Sequence, residues 1–347
     1  MGWEETLDQY GVLIDEELRN FFTETKNAAK TYHPFIEKVY SNMKEFVLRK
    51  GKRLASCSTL LTYKGYTSDI DTQILKVCVG IELYRHSILV HDDFIDKDEF
   101  RRGGKTFHRM FSEDDRRLGD GTAVFTGDMM YSMALRSIVN SGFAQKKLDR
   151  VLSMLLEGYR NVNESQILDL LFECKEPNAD EWYVMASKRA ASLFKTTILV
   201  GAVLGNAPEA DLQPLGEAAT HLGYSFDIQD DIIDTFASLE QYGRPPGGDL
   251  ALGKKPLHVI YTLKLADRDG LNMLMSLTGK EHISLESLEQ VREVIRGSGG
   301  LKEAKEKSRS HAEKAKELIA QTGLSGETKE FFASLITYIE NSLNWYR

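Results

Sequence analysis

Residues 224–236 read Tyr-Ser-Phe-Asp-Ile-Gln-Asp-Asp-Ile-Ile-Asp-Thr-Phe, and their spacing decides what kind of fold this is. Asp227, Asp230, Asp231 and Asp234 recur at i, i+3, i+4 and i+7, which is one face of an α-helix two turns long. Tyr224, Phe226, Ile228, Ile232 and Ile233 fill the other directions, so the helix is a core element with an acidic stripe. Like charges so placed oppose one another by about 0.2–0.5 kcal/mol per pair in an isolated helix. The stripe therefore points to a cation. Upstream, residues 87–104 (SILVHDDFIDKDEFRRGG) repeat the pattern, with Asp92, Asp93 and Asp96 packed into five positions after an apolar run. In a helix Asp92 and Asp96 lie one turn apart, with Asp93 beside them.

Outward from these motifs the chain reads as helical almost throughout. Apolar residues recur at three- and four-residue steps in Ile36, Val39, Met43, Phe46 and Val47, and in Ile74, Val77, Cys78 and Ile81. Stretches 151–159, 186–204 and 331–343 behave alike, and alternating strand patterns are nearly absent. Breaks fall at 65–69, 102–104, 177–180, 205–208 and 244–248, none long enough for a domain linker. The charged run 302–316 reads as a solvated helix. The expectation is one all-α domain over residues 1–347.

Composition narrows the function. A net charge of −8 argues against nucleic-acid binding and means that an anionic ligand must be captured by local cations or by metal. Cys57, Cys78 and Cys174 form neither a disulfide framework nor a zinc motif, so the expected compartment is the reducing cytoplasm. The start of the chain lacks a signal-peptide pattern, and the apolar run 191–204 is too short and too interrupted to span a bilayer.

Clustered carboxylates supply hard oxygens, which suit magnesium, an ion that keeps its waters and bridges carboxylates to phosphates. A solvated acidic helix end is the plain alternative for a single motif; two such stripes on apolar helices weaken it. Basic residues complement them. Arg101 and Arg102 precede Gly103-Gly104, a pair that can end the helix, and adjacent arginines can fork onto phosphate oxygens. Residues 49–53 are a second basic cluster, Lys195-Thr196 a third, and Arg244 with Lys254 a fourth.

The order of these motifs resembles that of the trans-isoprenyl diphosphate synthases, or polyprenyl synthetases. The resemblance runs from Gly51 to Lys254: Gly51-Lys52-Arg53, DDxxD followed by Arg101-Arg102-Gly103, Gly127-Asp128, Gln166-Ile167-Leu168-Asp169, Lys195-Thr196, Phe226-Asp227 with the second DDxxD, then Gly243-Arg244 and Gly253-Lys254. It implies an all-α isoprenoid-synthase-type bundle around a deep central cavity, a homodimer, and Mg2+-dependent 1'-4 condensation of an allylic diphosphate with isopentenyl diphosphate. It implies three magnesium ions, with Asp92 and Asp96 holding two, Asp230 the third, and Asp93, Asp231 and Asp234 in support. The allylic diphosphate falls to Arg101, Lys195, Thr196, Asp227, Arg244 and Lys254. Isopentenyl diphosphate falls to Lys52, Arg53, Arg85 and Arg102, and Gln166 and Thr196 lie near the reacting carbocation.

Three departures from the family pattern stand out. Ala55 occupies the place of a usual arginine, and Arg85 that of a usual histidine, which suggests that Arg85 supplies the charge Ala55 lacks. Asp227 replaces a glutamine and Arg244 a lysine. Each added five-carbon unit buries several carbons, worth about 3–4 kcal/mol at about 0.8 kcal/mol per CH₂, so growth must stop against a steric floor. The resemblance places that floor on the helix before the first motif. Ser87 there is small, and Tyr84 stands nearly one turn deeper above Ile81. The expected product is geranylgeranyl diphosphate. Farnesyl or geranylfarnesyl synthesis remains an alternative, as does a catalytically silent partner subunit of a hetero-oligomeric synthase.

Overall fold

The computed structural model describes residues 2–49, 51–113, 115–242, 245–280 and 282–342. Among these residues the chain is helical but for one two-stranded ribbon, the all-α class that the periodicity predicts. It divides into two compact units, residues 1–152 with 200–207 and residues 153–199 with 208–347.

In the first unit, α1 (Trp3–Lys30) buries Leu7, Ile14, Leu18 and Phe22 at helical spacing. Pro34 starts α2 (Pro34–Leu48), capped by the His33 ring, which accepts from the Phe35 amide. Next come α3 (Leu54–Thr67) and α4 (Thr72–Ile95), the second capped by the Asp71 carboxylate on the Ile74 amide. The α4 helix packs on α6 (Arg116–Val139) at a close approach that needs Gly80, since a Cβ there would lie 2.8 Å from the Ala134 carbonyl oxygen. Between them lie β1 (Phe100–Arg101), β2 (Gly104–Lys105) and the single-turn α5 (Phe107–Met110). Gly103 and Gly104 do not end the α4 helix, which stops at Ile95. They belong to a hairpin with Arg101 opposite Gly104, and its two loop residues, Arg102 (φ 51) and Gly103 (φ 79), have the positive φ of a type I′ turn.

The long α7 (Gln145–Cys174) supplies residues to both units. In the second, α8 (Ala179–Ala186) opens on a capping box of Asn178 and Glu181. The helix expected over 186–204 begins only at Ala190. A tightened turn, with the Lys188 amide on Met185 O and the Arg189 amide on Ala186 O, separates α8 from α9 (Ala190–Leu204). That break decides where Arg189 goes. The acidic stripe rides on α10 (Glu209–Phe236), which approaches α9 closely enough at Gly223 that a Cβ would overlap the Ala191 backbone.

Short helices α11 (Leu239–Tyr242) and α12 (Gly248–Leu252) lead to α13 (Leu257–Leu265), α14 (Arg268–Leu277) and α15 (Leu285–Ser298). The run 302–316 lies in α16 (Gly300–Ala320), followed by α17 (Gly326–Ser342). It is not merely solvated. Ala304, Ser308, Ala312 and Ala315 are buried, and Ser308 Oγ bonds both Ser225 Oγ (2.9 Å) and Ser225 O (3.1 Å) on α10. Small side chains let α16 back the acidic helix closely without an apolar signal in sequence.

Candidate active site

The first acidic motif sits at the C-terminal end of α4, and Asp96 caps it with its amide on Asp92 O at 2.8 Å. Asp92 and Asp96 are half-buried, one turn apart, with carboxylates that solvent can reach. Asp93 differs. It is fully buried and ion-paired with Arg101, which also lies 3.5 Å from both Asp92 and Asp98. Burial pushes the Asp93 carboxyl up to about 7 against the opposing pull of Arg101, and its Oδ2 has no hydrogen-bond partner among the described residues. Arg101, expected on substrate phosphate, is here held by the acidic motif itself. His91 precedes the motif. Its ring occupies the space beside Gly127 and bonds the Val124 carbonyl at 3.0 Å, which explains the glycine before Asp128.

The basic residues of the first unit fall into two groups. Lys52 is exposed, ion-paired with Glu4 and 4.1 Å over the Trp3 ring. Arg85 is half-buried and Arg102 exposed. Arg53, expected to meet isopentenyl diphosphate, is 5% exposed and points inward, donating to Asp15 (2.8 Å) and Glu82 (3.0 Å). Burial would lower its pKa, but Glu82 and Asp15 outweigh that and raise it. Arg53 is a structural cation. Glu82 also accepts from Ser56 Oγ at 2.6 Å; burial would raise its carboxyl, yet Arg53 and the Ser56 hydroxyl hold it below the usual range.

Ser87, Tyr84 and Ile81 are all fully buried on α4. The Tyr84 ring meets Tyr131 of α6 at 6.2 Å, and the Ser87 hydroxyl donates back to Tyr84 O at 2.8 Å. The side chain that would form the floor is thus fixed between two helices.

In the second unit the stripe is not uniform. Asp230 is exposed, whereas Asp227, Asp231 and Asp234 are 6%, 8% and 2% exposed. Arg189, which sequence reasoning missed, holds the buried pair. Its Nε donates to both Asp227 oxygens at 3.0 Å, its Nη2 lies 3.4 Å from Asp231, and its Nη1 is 3.8 Å from Asp169. Burial raises both carboxyls against the pull of Arg189, and the three aspartates raise Arg189 well above its ordinary value despite its own burial. Lys254 joins from below, 3.3 Å from Asp169 and 3.5 Å from Asp249. Asp169, Arg189, Asp231, Asp249 and Lys254 line one small pocket together with Trp182, Met185 and Pro256. Asp234 serves the loop instead, its Oδ2 accepting the Asp249 amide at 3.2 Å and its carbonyl the Gly247 amide at 2.7 Å.

Lys195 and Thr196, expected at the allylic diphosphate, lie on α9. Lys195 is exposed and lies over Gly216, eleven residues before Asp227 and about 16 Å away along the helix axis at about 1.5 Å per residue. Thr196, 6% exposed, is its neighbour on α9. The cation at the stripe is Arg189. No local signal in the sequence marks Arg189, because the turn that separates α8 from α9 lies within an apparently unbroken apolar pattern. Gln166 is half-buried on α7, one turn before Asp169. Arg244 lies outside the described residues.

These side chains fit what comparison with known proteins finds. Residues 36–295 match the polyprenyl synthetase family model. A short-chain isoprenyl diphosphate synthase of Methanocaldococcus jannaschii is 30% identical over 285 residues, covering 82% of this chain and 81% of that one. The chain belongs to the polyprenyl synthetase family. Another of its members, a geranylfarnesyl diphosphate synthase of Aeropyrum pernix, is 29% identical over 295 residues, 83% of this chain and 89% of its own. The crystal structure of a geranylgeranyl pyrophosphate synthetase from Pyrococcus horikoshii superposes with a TM-score of 0.84 at 25% identity, over 97% of this chain and 98% of that one. Among the described residues no helix is long and apolar enough to cross a membrane.

Proposed function

We propose that the whole chain, residues 1–347, acts as one polyprenyl synthetase domain that condenses an allylic diphosphate with isopentenyl diphosphate in a magnesium-dependent 1'-4 elongation, with geranylgeranyl diphosphate as product. The observation that carries this reading is membership of the family together with two aspartate motifs whose outer carboxylates, on Asp92, Asp96 and Asp230, are open to solvent. No group of three or more His, Cys, Asp or Glu among the described residues is placed to cage a metal. Magnesium does not require one, since it is usually held by one or two carboxylates plus substrate phosphates and its own waters. The donor set fits. When bound, magnesium supplies positive charge that stabilises the departing diphosphate.

The protein's own groups do the rest. Arg189 orients Asp227 and Asp231 beside Asp230, and Lys254 pairs with Asp169, while Arg101 holds Asp93 next to Asp92. As the allylic C–O bond breaks, negative charge grows on the leaving diphosphate, and cations fixed beforehand lower that barrier without reorganising. The isopentenyl double bond attacks the allylic cation, and the proton lost from the new chain passes to the diphosphate. Lys52, Arg85 and Arg102 hold isopentenyl diphosphate. Tyr84, above Ile81 and one turn below the small Ser87, stops growth at twenty carbons. Leu118, Phe125 and Val139 are 44%, 69% and 49% exposed at multiples of seven along α6, a stripe that favours a homodimer, and the three widely spaced cysteines fit a reducing cytoplasm.

The test is incorporation of labelled isopentenyl diphosphate by the purified chain, with and without Mg2+, followed by chromatography of the product. No incorporation with any allylic primer would overturn the reading, and a fifteen- or twenty-five-carbon product would overturn the assigned floor.

A further inference from the structure

Beneath the exposed Arg102 lies a histidine that no family signature above includes. His86 is 1% exposed on α4, with Phe46 edge-on at 5.9 Å. Its Nε2 is 3.4 Å from Arg102 Nη1, and its Nδ1 is 2.7 Å from the Glu82 carbonyl oxygen. These two contacts settle the tautomer. A guanidinium can only donate and a carbonyl can only accept. Nδ1 therefore carries the proton and donates to Glu82, leaving the Nε2 lone pair to accept from Arg102. The charge state agrees: burial, with Arg102 and Arg53 adding to it, lowers the His86 pKa to about 3 despite Glu82.

The backbone and the space around Arg102 also fix its place. Its φ of 51 is a strained value for a residue with a side chain, and the turn is pinned from outside by Arg49, whose Nη1 donates to Arg101 O (3.0 Å) and Lys105 O (2.8 Å). Gly51 leaves the room the guanidinium uses, since a Cβ there would lie 2.7 Å from Arg102 Nη1. Arg85 and Arg53 both act on Arg102 as like charges, so this cation sits among other cations. A neutral acceptor is the one kind of partner that can aim such a group without neutralising it.

We propose that His86 is a positioning residue for isopentenyl diphosphate binding: through Nε2 it holds the Arg102 guanidinium in a fixed orientation while leaving its full charge for the substrate's phosphates. This rests on the assignment of Arg102 to that diphosphate. One donor is committed to His86; the others stay available on a side chain that solvent reaches.

Two conservative variants separate the roles of the ring nitrogens. His86→Asn keeps a donor near Nδ1 for the Glu82 carbonyl but is too short for Arg102, whereas His86→Gln extends an acceptor towards the Nε2 position. Steady-state kinetics with saturating allylic diphosphate should give His86→Asn a KM for isopentenyl diphosphate raised about tenfold, the order expected for a hydrogen bond to a charged group. kcat and the allylic KM should stay within twofold. His86→Gln should recover most of the loss, and in an Arg102→Gln background His86→Asn should add less than twofold. If Arg102→Gln raises the KM for isopentenyl diphosphate and His86→Asn does not, the positioning role is refuted and the reading of Arg102 stands. If Arg102→Gln leaves that KM unchanged, the reading of Arg102 fails and the inference falls with it. Equal losses in His86→Asn and His86→Gln, shared by kcat and both KM values, would reduce His86 to packing and refute the proposal.

Discussion

Glu82→Gln tests whether Arg53 belongs to the fold rather than to the substrate. Glu82 is 3% exposed and accepts from Arg53 Nη1 at 3.0 Å and Ser56 Oγ at 2.6 Å. Glutamine is nearly isosteric and can keep the Ser56 bond through its oxygen, but its amide nitrogen then faces Arg53 donor to donor. Losing a hydrogen bond to a charged group removes about 1.5–3 kcal/mol, and stranding a buried charge costs about 3–5 kcal/mol when no partner remains. Here Asp15, with its side chain 34% exposed, stays on Arg53 at 2.8 Å, so the expected loss is about 2–3 kcal/mol.

The pH dependence has a definite sign. The folded pKa of Glu82 lies below its ordinary 4.5, so its contribution is fully present above that value and disappears as pH falls through the folded pKa. Urea denaturation at pH 7.5 should therefore separate wild type from Glu82→Gln by about 2–3 kcal/mol, with the gap shrinking progressively as the pH falls below 4.5. Hydrogen exchange of α3 and α4 peptides identifies the transition that belongs to this unit. A gap below about 1 kcal/mol at pH 7.5, or one that does not shrink at all as the pH falls below 4.5, would refute the assignment of Arg53 as a structural cation.

Other perturbations address the site directly. Tyr84→Ala should lengthen the product by one or more five-carbon units on chromatography, and an unchanged product profile would place the floor elsewhere. Arg189→Met should lower kcat/KM for the allylic diphosphate on the order of a hundredfold, as expected for an electrostatic group at a reacting centre, with Arg189→Lys intermediate because it loses the forked contact to Asp227. Arg85→Ala should raise the KM for isopentenyl diphosphate; no change would mean that Arg85 does not stand in for the arginine absent at Ala55. Gly223→Ala forces α9 from α10 at backbone contact and should destabilise the second unit by about 3 kcal/mol, measured as a lowered urea midpoint.

Some features were legible because they depend only on local periodicity. The i, i+3, i+4, i+7 run of aspartates made α10 a helix with one acidic face, and the order of basic and acidic motifs pointed to the family. Where sequence reasoning failed, the deciding contact was remote. Lys195 and Arg189 are both cations near the start of an apolar run, and nothing local says which reaches Asp227. The turn at 187–189 decides it by re-aiming the chain. The burial of 302–316 was hidden because alanine and serine pack helices closely without looking apolar.

By itself the sequence determined the helical class and the two carboxylate motifs, since each follows from spacing along one helix, and the order of the motifs carried the resemblance that implies the chemistry. Only the tertiary structure decided which charges are committed: Arg53 to Glu82 and Asp15, Arg101 to Asp93, Arg189 to Asp227, and Asp230 left outward. Ion pairing depends on distances of a few ångströms between residues far apart in the chain, and periodicity carries no information about them.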